Sequence, residues 1–125
     1  MSQLAAATHE RLATEPIVWF ATVRPTGQPH LVPLWFVWLD GTIYVCVSGT
    51  SVKVRNLVAN PAVALALESG SAPVVVEGLA TRCDRPWPDK VVAGFQRKYS
   101  WTITTDAEYD TLIAVTPQRW LMVQG

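Results

Sequence analysis

The sequence predicts a mainly β protein, a closed or nearly closed antiparallel barrel carrying a few short helices. Short runs rich in β-branched and aromatic residues recur along the chain. Turn signals such as Arg24-Pro25-Thr26-Gly27, Asp40-Gly41 and Ser69-Gly70-Ser71 separate many of them. Helical spacing occurs only in brief stretches, so strands must supply most of the core.

Taken in order, residues 2–14 place Leu4, Thr8 and Leu12 on one stripe, which predicts a short amphipathic helix ending at Glu15-Pro16. Residues 18–23 read as the first strand. Proline and glycine then make a turn, and 30–39 form a second strand. Asp40-Gly41 is a hairpin signal, with 42–47 as the return strand. Val54, Leu57 and Val58 fit a helix that runs to about Ala59 and stops at Asn60-Pro61. Residues 62–67 and 74–83 are the fourth and fifth strands. Helical spacing returns over 87–99 through Val91, Phe95 and Lys98. A polar loop over 100–108 follows, and Asp106, Glu108 and Asp110 read as solvated. The last pair of strands, 111–115 and 120–123, flanks Pro117-Gln118. Pro33 sits inside an apolar strand, where its missing N–H calls for an edge, a bulge or a bend. A bend would present backbone donors and acceptors to the rim of a flat heterocycle; a simple barrel-corner proline is the other reading.

With 125 residues, half of them hydrophobic and 16% charged, the chain reads as one globular domain, 1–125. Lys+Arg and Asp+Glu balance at ten each, so the general basic field of a nucleic-acid binder is missing. No apolar run approaches a membrane span, and the N-terminus lacks the order of a signal peptide. Cys46 and Cys83 form no CxxC pair, which suits small buried side chains in a reducing cytoplasm. His9 and His30 have no cysteine or carboxylate at ligand spacing, so no metal site is expected.

Ser48-Gly49-Thr50-Ser51-Val52-Lys53-Val54-Arg55-Asn56 is the segment with the most chemistry. Hydroxyls and backbone N–H groups at a helix start suit an anion, and the helix dipole favours negative charge there. Lysine adds a point charge and arginine a planar fork that fits phosphate oxygens. The segment reads either as a phosphate cradle or as a capped surface helix with two solvated cations. No GxSxG elbow, Walker A loop or GxGxxG turn occurs. A chain without acid–base residues still works as an enzyme when a cofactor carries the reaction. Trp19, Trp35 and Trp38 fall on strands, where core packing is expected. Trp87, Trp101 and Trp120 fall near loop or strand ends, places suited to covering a ligand or another subunit.

The order of Ala21-Thr22-Val23-Arg24-Pro25-Thr26-Gly27, Pro29-His30-Leu31-Val32-Pro33-Leu34-Trp35-Phe36, Lys53-Val54-Arg55-Asn56-Leu57 and Asn60-Pro61 resembles the pyridoxamine 5'-phosphate oxidase-like, FMN-binding split barrels. More narrowly, it is similar to the branch of enzymes of the deazaflavin coenzyme F-420. The resemblance implies a six-stranded antiparallel split barrel that dimerises, with cofactor sites at the subunit interface. It implies that Leu31, Val32, Pro33, Leu34 and Trp35 lie along the tricyclic ring. Ser48, Thr50, Ser51, Lys53, Arg55 and Asn56 would gather round the phosphate, and Trp101 or Trp120 would complete a pocket. Arg119 is the only basic residue after Lys98, so the substrate-phosphate pattern of the true oxidases is missing.

These readings lead to a cytoplasmic oxidoreductase that binds FMN or F-420, tilted to the deazaflavin, and passes hydride to or from a small conjugated substrate. Tyr99 is a candidate proton donor, and Arg97 or Lys98 a candidate partner for an acidic cofactor tail. The alternative is a non-catalytic barrel that stores or sequesters a flavin or haem. A nucleic-acid-binding barrel is a third reading, opposed by the neutral charge and the apolar strand.

Overall fold

The computed structural model describes residues 4–123, so Ser2 and Gln3 of the expected first helix lie outside the described residues. The elements run α1 (Ala6–Thr14), β1 (Val18–Val23), β2 (Pro29–Leu34), β3 (Val37–Leu39), β4 (Thr42–Val47), α2 (Val52–Ala59), β5 (Ala62–Leu67), β6 (Val74–Cys83), α3 (Asp89–Tyr99), a 3-10 turn (Ile103–Thr105) and β7 (Thr111–Val123). Among the described residues no helix is long and apolar enough to cross a membrane.

All seven strands join one antiparallel sheet in the order β2-β1-β5-β6-β7-β4-β3. The predicted second strand is cut at Trp35-Phe36 into β2 and β3, which end up at opposite edges of the sheet. Counted as one bent strand they restore the six of a split barrel. The barrel is not closed: β2 pairs with β1 alone and β3 with β4 alone. Pro33 faces Trp19 within β2, so it occupies an edge strand, where a missing N–H is tolerated. The break falls two residues later.

The hairpin at Asp40-Gly41 forms as expected, with φ of 51° and 75° that allow the tight two-residue turn. The last two predicted strands prove to be one. Register shifts between Val75/Val76 and Glu77/Gly78 let β6 skip Gln118 and Leu121, so Pro117 sits opposite Gly78 without ending β7.

Two cores follow from the period-two alternation. Val18, Phe20, Ile43, Val45, Leu65, Val76, Ile113 and Val115 fill the inside of the curled sheet, plugged by Leu12 of α1 and Val54 of α2. On the outer face of β3, β4 and β7, Val37, Cys46 and Leu112 meet Trp87, Val91, Phe95 and Ile103. Phe95 and Ile103 are fully buried there, each worth roughly 1.5–3 kcal/mol of transfer free energy. They fasten α3 and the loop after it beside the break between β2 and β3. Among the described residues no helix covers the remaining outer face, on β2, β1, β5 and β6. Trp19, Leu31, Trp35 and Leu79 are exposed on or beside it, so Trp19 and Trp35 do not take the core places expected for strand tryptophans. Alternation along β1 turns Phe20 inward and Trp19 outward.

Candidate functional site

A cleft of about 580 Å³ opens where the sheet is split. Pro33, Leu34 and Trp35 form one wall, Cys46 of β4 the floor, and residues 99–109 the far side. Trp35 stacks on Tyr99 with ring centroids 4.4 Å apart and planes 5° from parallel. Trp101 meets Trp35 edge-on at 5.7 Å, and Tyr109 meets Trp101 at the same distance and angle. Because β2 is an edge strand, half of its backbone N–H and C=O groups have no ladder partner on this side.

The loop expected to be a solvated acidic stretch is instead organised. Asp106 accepts from the Glu108 and Tyr109 amides at 3.0 and 2.8 Å and from Trp101 Nε1 at 3.1 Å. These bonds, the Tyr109 amide first, hold its carboxyl below the usual carboxylate range. An aspartate followed at two and three positions by free amides is an Asx-turn signal, and the sequence carried it. Asp110 accepts from the Gly49 amide at 2.9 Å and from the Thr111 hydroxyl at 3.1 Å, which ties the start of β7 to the turn before α2. The Gly49 bond is the main reason its carboxyl also lies low.

Tyr99 is a clamp. Its hydroxyl accepts from the Phe36 amide at 2.9 Å and lies 2.8 Å from the Pro16 carbonyl and 3.0 Å from that of Phe36. Burial pushes it up to about 12, partly offset by the Phe36 bond. Lys98 donates to the Phe36 carbonyl at 2.9 Å and stands 3.7 Å over the Phe36 ring, with burial bringing its ammonium down to about 8. Neither group is free to donate a proton in the cleft or to meet a cofactor tail. The Cys46 thiol donates to the Tyr109 carbonyl at 3.3 Å, and burial, with Asp106 nearby, pushes it up to about 12. It is a protonated, inert floor.

The segment expected to form a cradle lies at the exit of β4, and its members divide. Ser48 and Thr50 hydroxyls lie 3.1 Å apart, and the Ser51 hydroxyl donates back to the Ser48 carbonyl at 2.7 Å. Ser51 therefore stands at the cap position of α2 without capping it, and the first amides of the helix have no side-chain acceptor. Lys53 is half-buried, and burial lowers its pKa. Among the described residues its ammonium makes no hydrogen bond or ion pair. Arg55 is exposed; two helical positions turn it about 200° from Lys53. Asn56 is buried, and its amide donates to the buried Thr22 hydroxyl at 2.9 Å, which welds α2 to β1. It holds the fold rather than facing solvent.

Burial, then Arg24, then Lys53 lower the pKa of His30, and its Nδ1 is buried without a partner. Arg24, His30 and Lys53 thus share one end of β2, and Trp35 marks the other. Five residue-to-residue steps lead from His30 to Trp35, roughly 17 Å. Leu31 is exposed and Val32 half-buried between these ends. Trp101 joins the cleft of its own chain. Trp120 does not: it packs edge-on against Trp38 at 6.0 Å, beside His9 and Gln118, in a separate hollow. His9 accepts from Trp38 Nε1 through Nδ1 at 3.1 Å. No group of three or more metal-ligating side chains occurs among the described residues.

The sequence profile for pyridoxamine 5'-phosphate oxidase matches residues 4–124. The chain belongs to this family. Solved structures agree on the split-barrel fold. HutZ, the haem storage protein from Vibrio cholerae, is similar over 99% of this chain and 96% of its own, at 20% identity and a TM-score of 0.82. An F420 reductase is similar over 94% and 98%, at 25% identity and a TM-score of 0.72. A conserved hypothetical protein from Mycobacterium tuberculosis is similar over 99% and 86%, at 23% identity and a TM-score of 0.79. No sequence among the curated proteins matches.

Proposed function

We propose that this family member binds a flavin-type redox cofactor, FMN or the deazaflavin F-420, and serves hydride transfer to or from a small conjugated substrate. The carrying observation is the half-buried Lys53 ammonium. It lacks a counter-ion beside uncapped helix amides, next to the strand that walls the cleft further along. A buried cation without an acid partner is costly unless an anion joins it. Family membership and the likeness to an F420 reductase support this reading and favour the deazaflavin.

The residues present fit such a group. Lys53 and the first amides of α2 would hold its phosphate, and the free edge of β2 from Leu31 to Trp35 would align its ring. When bound, the ring would supply the site that gives or takes hydride. Trp35, Trp101 and Tyr109 exclude water from the cleft and fix the plane in which a flat substrate stacks. Proximity, rather than a side-chain acid, then provides catalysis, since Cys46 stays protonated and Tyr99 is tied to backbone. The uncovered apolar face carrying Trp19, Leu31 and Leu79 suits a second copy of the chain, so the working form is a homodimer, and the free Cys46 and Cys83 suit a place in the cytoplasm. Leu79→Asp should shift the sedimenting species from dimer to monomer.

The test is titration with FMN, F-420 and haem, read by absorbance. Lys53→Ala should weaken the bound flavin-type cofactor by about 1.5–3 kcal/mol, the worth of a charge-assisted contact. Unchanged affinity in that variant removes the anchor. Haem binding to the exclusion of both others would replace this reading with storage. The geometry opposes it: neither histidine lines the cleft, and His9 Nδ1 accepts from Trp38, so its neutral ring carries the proton on Nε2.

A further inference from the structure

The two ends of β2 carry opposite charge. Arg24, His30 and Lys53 gather at one end, close enough for both cations to act on the imidazole. At the other end the cleft is lined by two carboxylates, Asp106 and Glu108, and by no cation. Two basic groups lie near it without lining it, and Arg85 is close enough to act on the Cys46 thiol. Lys98 is spent on the Phe36 carbonyl and ring, and Arg85 lies 3.9 Å over Trp87 and donates to the Thr104 carbonyl. Four aromatic rings form the rest of the polar-rimmed wall, and each presents a negative face and a positive edge. Trp35 stays 46% exposed although one face stacks on Tyr99 and Trp101 meets it edge-on, so part of its ring is open to a ligand. Asp106 is held rigidly by three donors, so its charge is fixed in place.

We infer that the open end of the cleft selects a flat cationic substrate, an N-alkylated heteroaromatic ring being the simplest case, and rejects substrates bearing phosphate or carboxylate. This rests on the redox reading above and names the substrate class of that same site. Aromatic faces attract a cation electrostatically, and two nearby carboxylates add to the attraction. The same field repels an anion, so a phosphorylated substrate would meet two carboxylates where it needs cations. The cofactor's anionic tail escapes the repulsion because it is anchored at the basic end, roughly 17 Å away along the strand. One strand therefore sorts its ligands by charge along its length.

Three probes of similar shape test this: N-methylquinolinium, neutral quinoline and 1-naphthoate. Binding is measured by calorimetry on the purified protein, with and without saturating cofactor, at about pH 8. The cation should bind about tenfold tighter than the neutral ring, and naphthoate more weakly than either. Glu108→Gln, at an exposed position, should cut the cation's advantage, and Glu108→Gln with Asp106→Asn should reduce it to the share that the aromatic faces supply. Asp106→Asn keeps an acceptor oxygen for the turn, and its melting curve reports whether the loop survives. Equal binding of the three probes, or a preference that survives undiminished in the folded double variant, overturns the inference. FMN and F-420 titrations on the same samples separate the two claims. Cofactor binding without charge preference sinks the substrate class alone. Charge preference with neither cofactor bound sinks the redox reading alone.

Discussion

Replacing Asn56 by alanine distinguishes a ligand-binding role from a structural one. Asn56 is 2% exposed and Thr22 is 1% exposed, and the 2.9 Å bond between them joins the α2 helix to the first strand. Losing the bond forfeits about 1 kcal/mol, and the Thr22 hydroxyl left buried without a partner costs about 1–2 kcal/mol more. A loss of about 2–3 kcal/mol follows. With an unfolding entropy of about 2.1 cal/mol/K per residue, a chain of this length loses about 8–12 °C in Tm. Circular dichroism melts measure this directly. Asn56→Leu combined with Thr22→Val removes both polar partners, and the pair should be less destabilised than the sum of the single changes. Cofactor titration of Asn56→Ala at temperatures below its unfolding range should show no more than a small loss. A melt within about 2 °C of wild type, together with a tenfold or larger loss of cofactor affinity, would refute the structural assignment and make Asn56 a ligand.

Gly78→Ala should destabilise by about 1–3 kcal/mol, because the added carbon would lie 2.6 Å from the Thr116 carbonyl oxygen, and bulged backbone cannot move aside cheaply; an unchanged melting temperature would show that the bulge relaxes. Lys98 binds its proton less tightly folded, at about 8, than unfolded, near 10.5. The unfolded state therefore holds more protons across that window, and stability rises with pH there. Comparing wild type with Lys98→Met should show wild type gaining from about pH 8 to about pH 10.5 and a flat difference below it; a difference that falls over that window would reverse the assignment. Cys46, buried and pushed up to about 12, should resist alkylation at neutral pH until the chain is unfolded. Rapid labelling of the native protein would show that the cleft floor opens.

The strands were legible because each has a period of two and ends in turn chemistry. Thr42–Val47, Ala62–Leu67 and Val74–Cys83 form over the residues the pattern gave. What periodicity cannot register is a strand that changes partner without changing composition. Residues 30–39 are apolar throughout, so nothing local marks Trp35-Phe36 as the point where the chain leaves β1 for β4. That break is held from a distance, by Tyr99 and Lys98 reaching the Phe36 backbone. A similar limit applies at Pro117, where proline alone argued for a strand end and a bulge in β7 itself absorbed it.

The same distinction explains the site. The segment from Ser48 to Asn56 was readable as a group because hydroxyl, amide and cation follow one another closely in sequence. Its internal division was not, because it depends on which helix face meets β1. Asn56 finds Thr22, Lys53 finds the neighbourhood of His30, and Arg55 is left exposed. The acidic side of the cleft was hidden for the opposite reason. Asp106 and Glu108 sit in a loop whose composition signals solvent, and Ile103 and Phe95, buried against the sheet, help carry that loop to the split. Charge in the cleft is thus set by core packing some residues away. A change that loosened the Phe95–Ile103 anchor should disturb ligand selection at Trp35 before it disturbs the anion anchor at Lys53. The two ends of β2 rest on different cores, one outside the sheet and one within it.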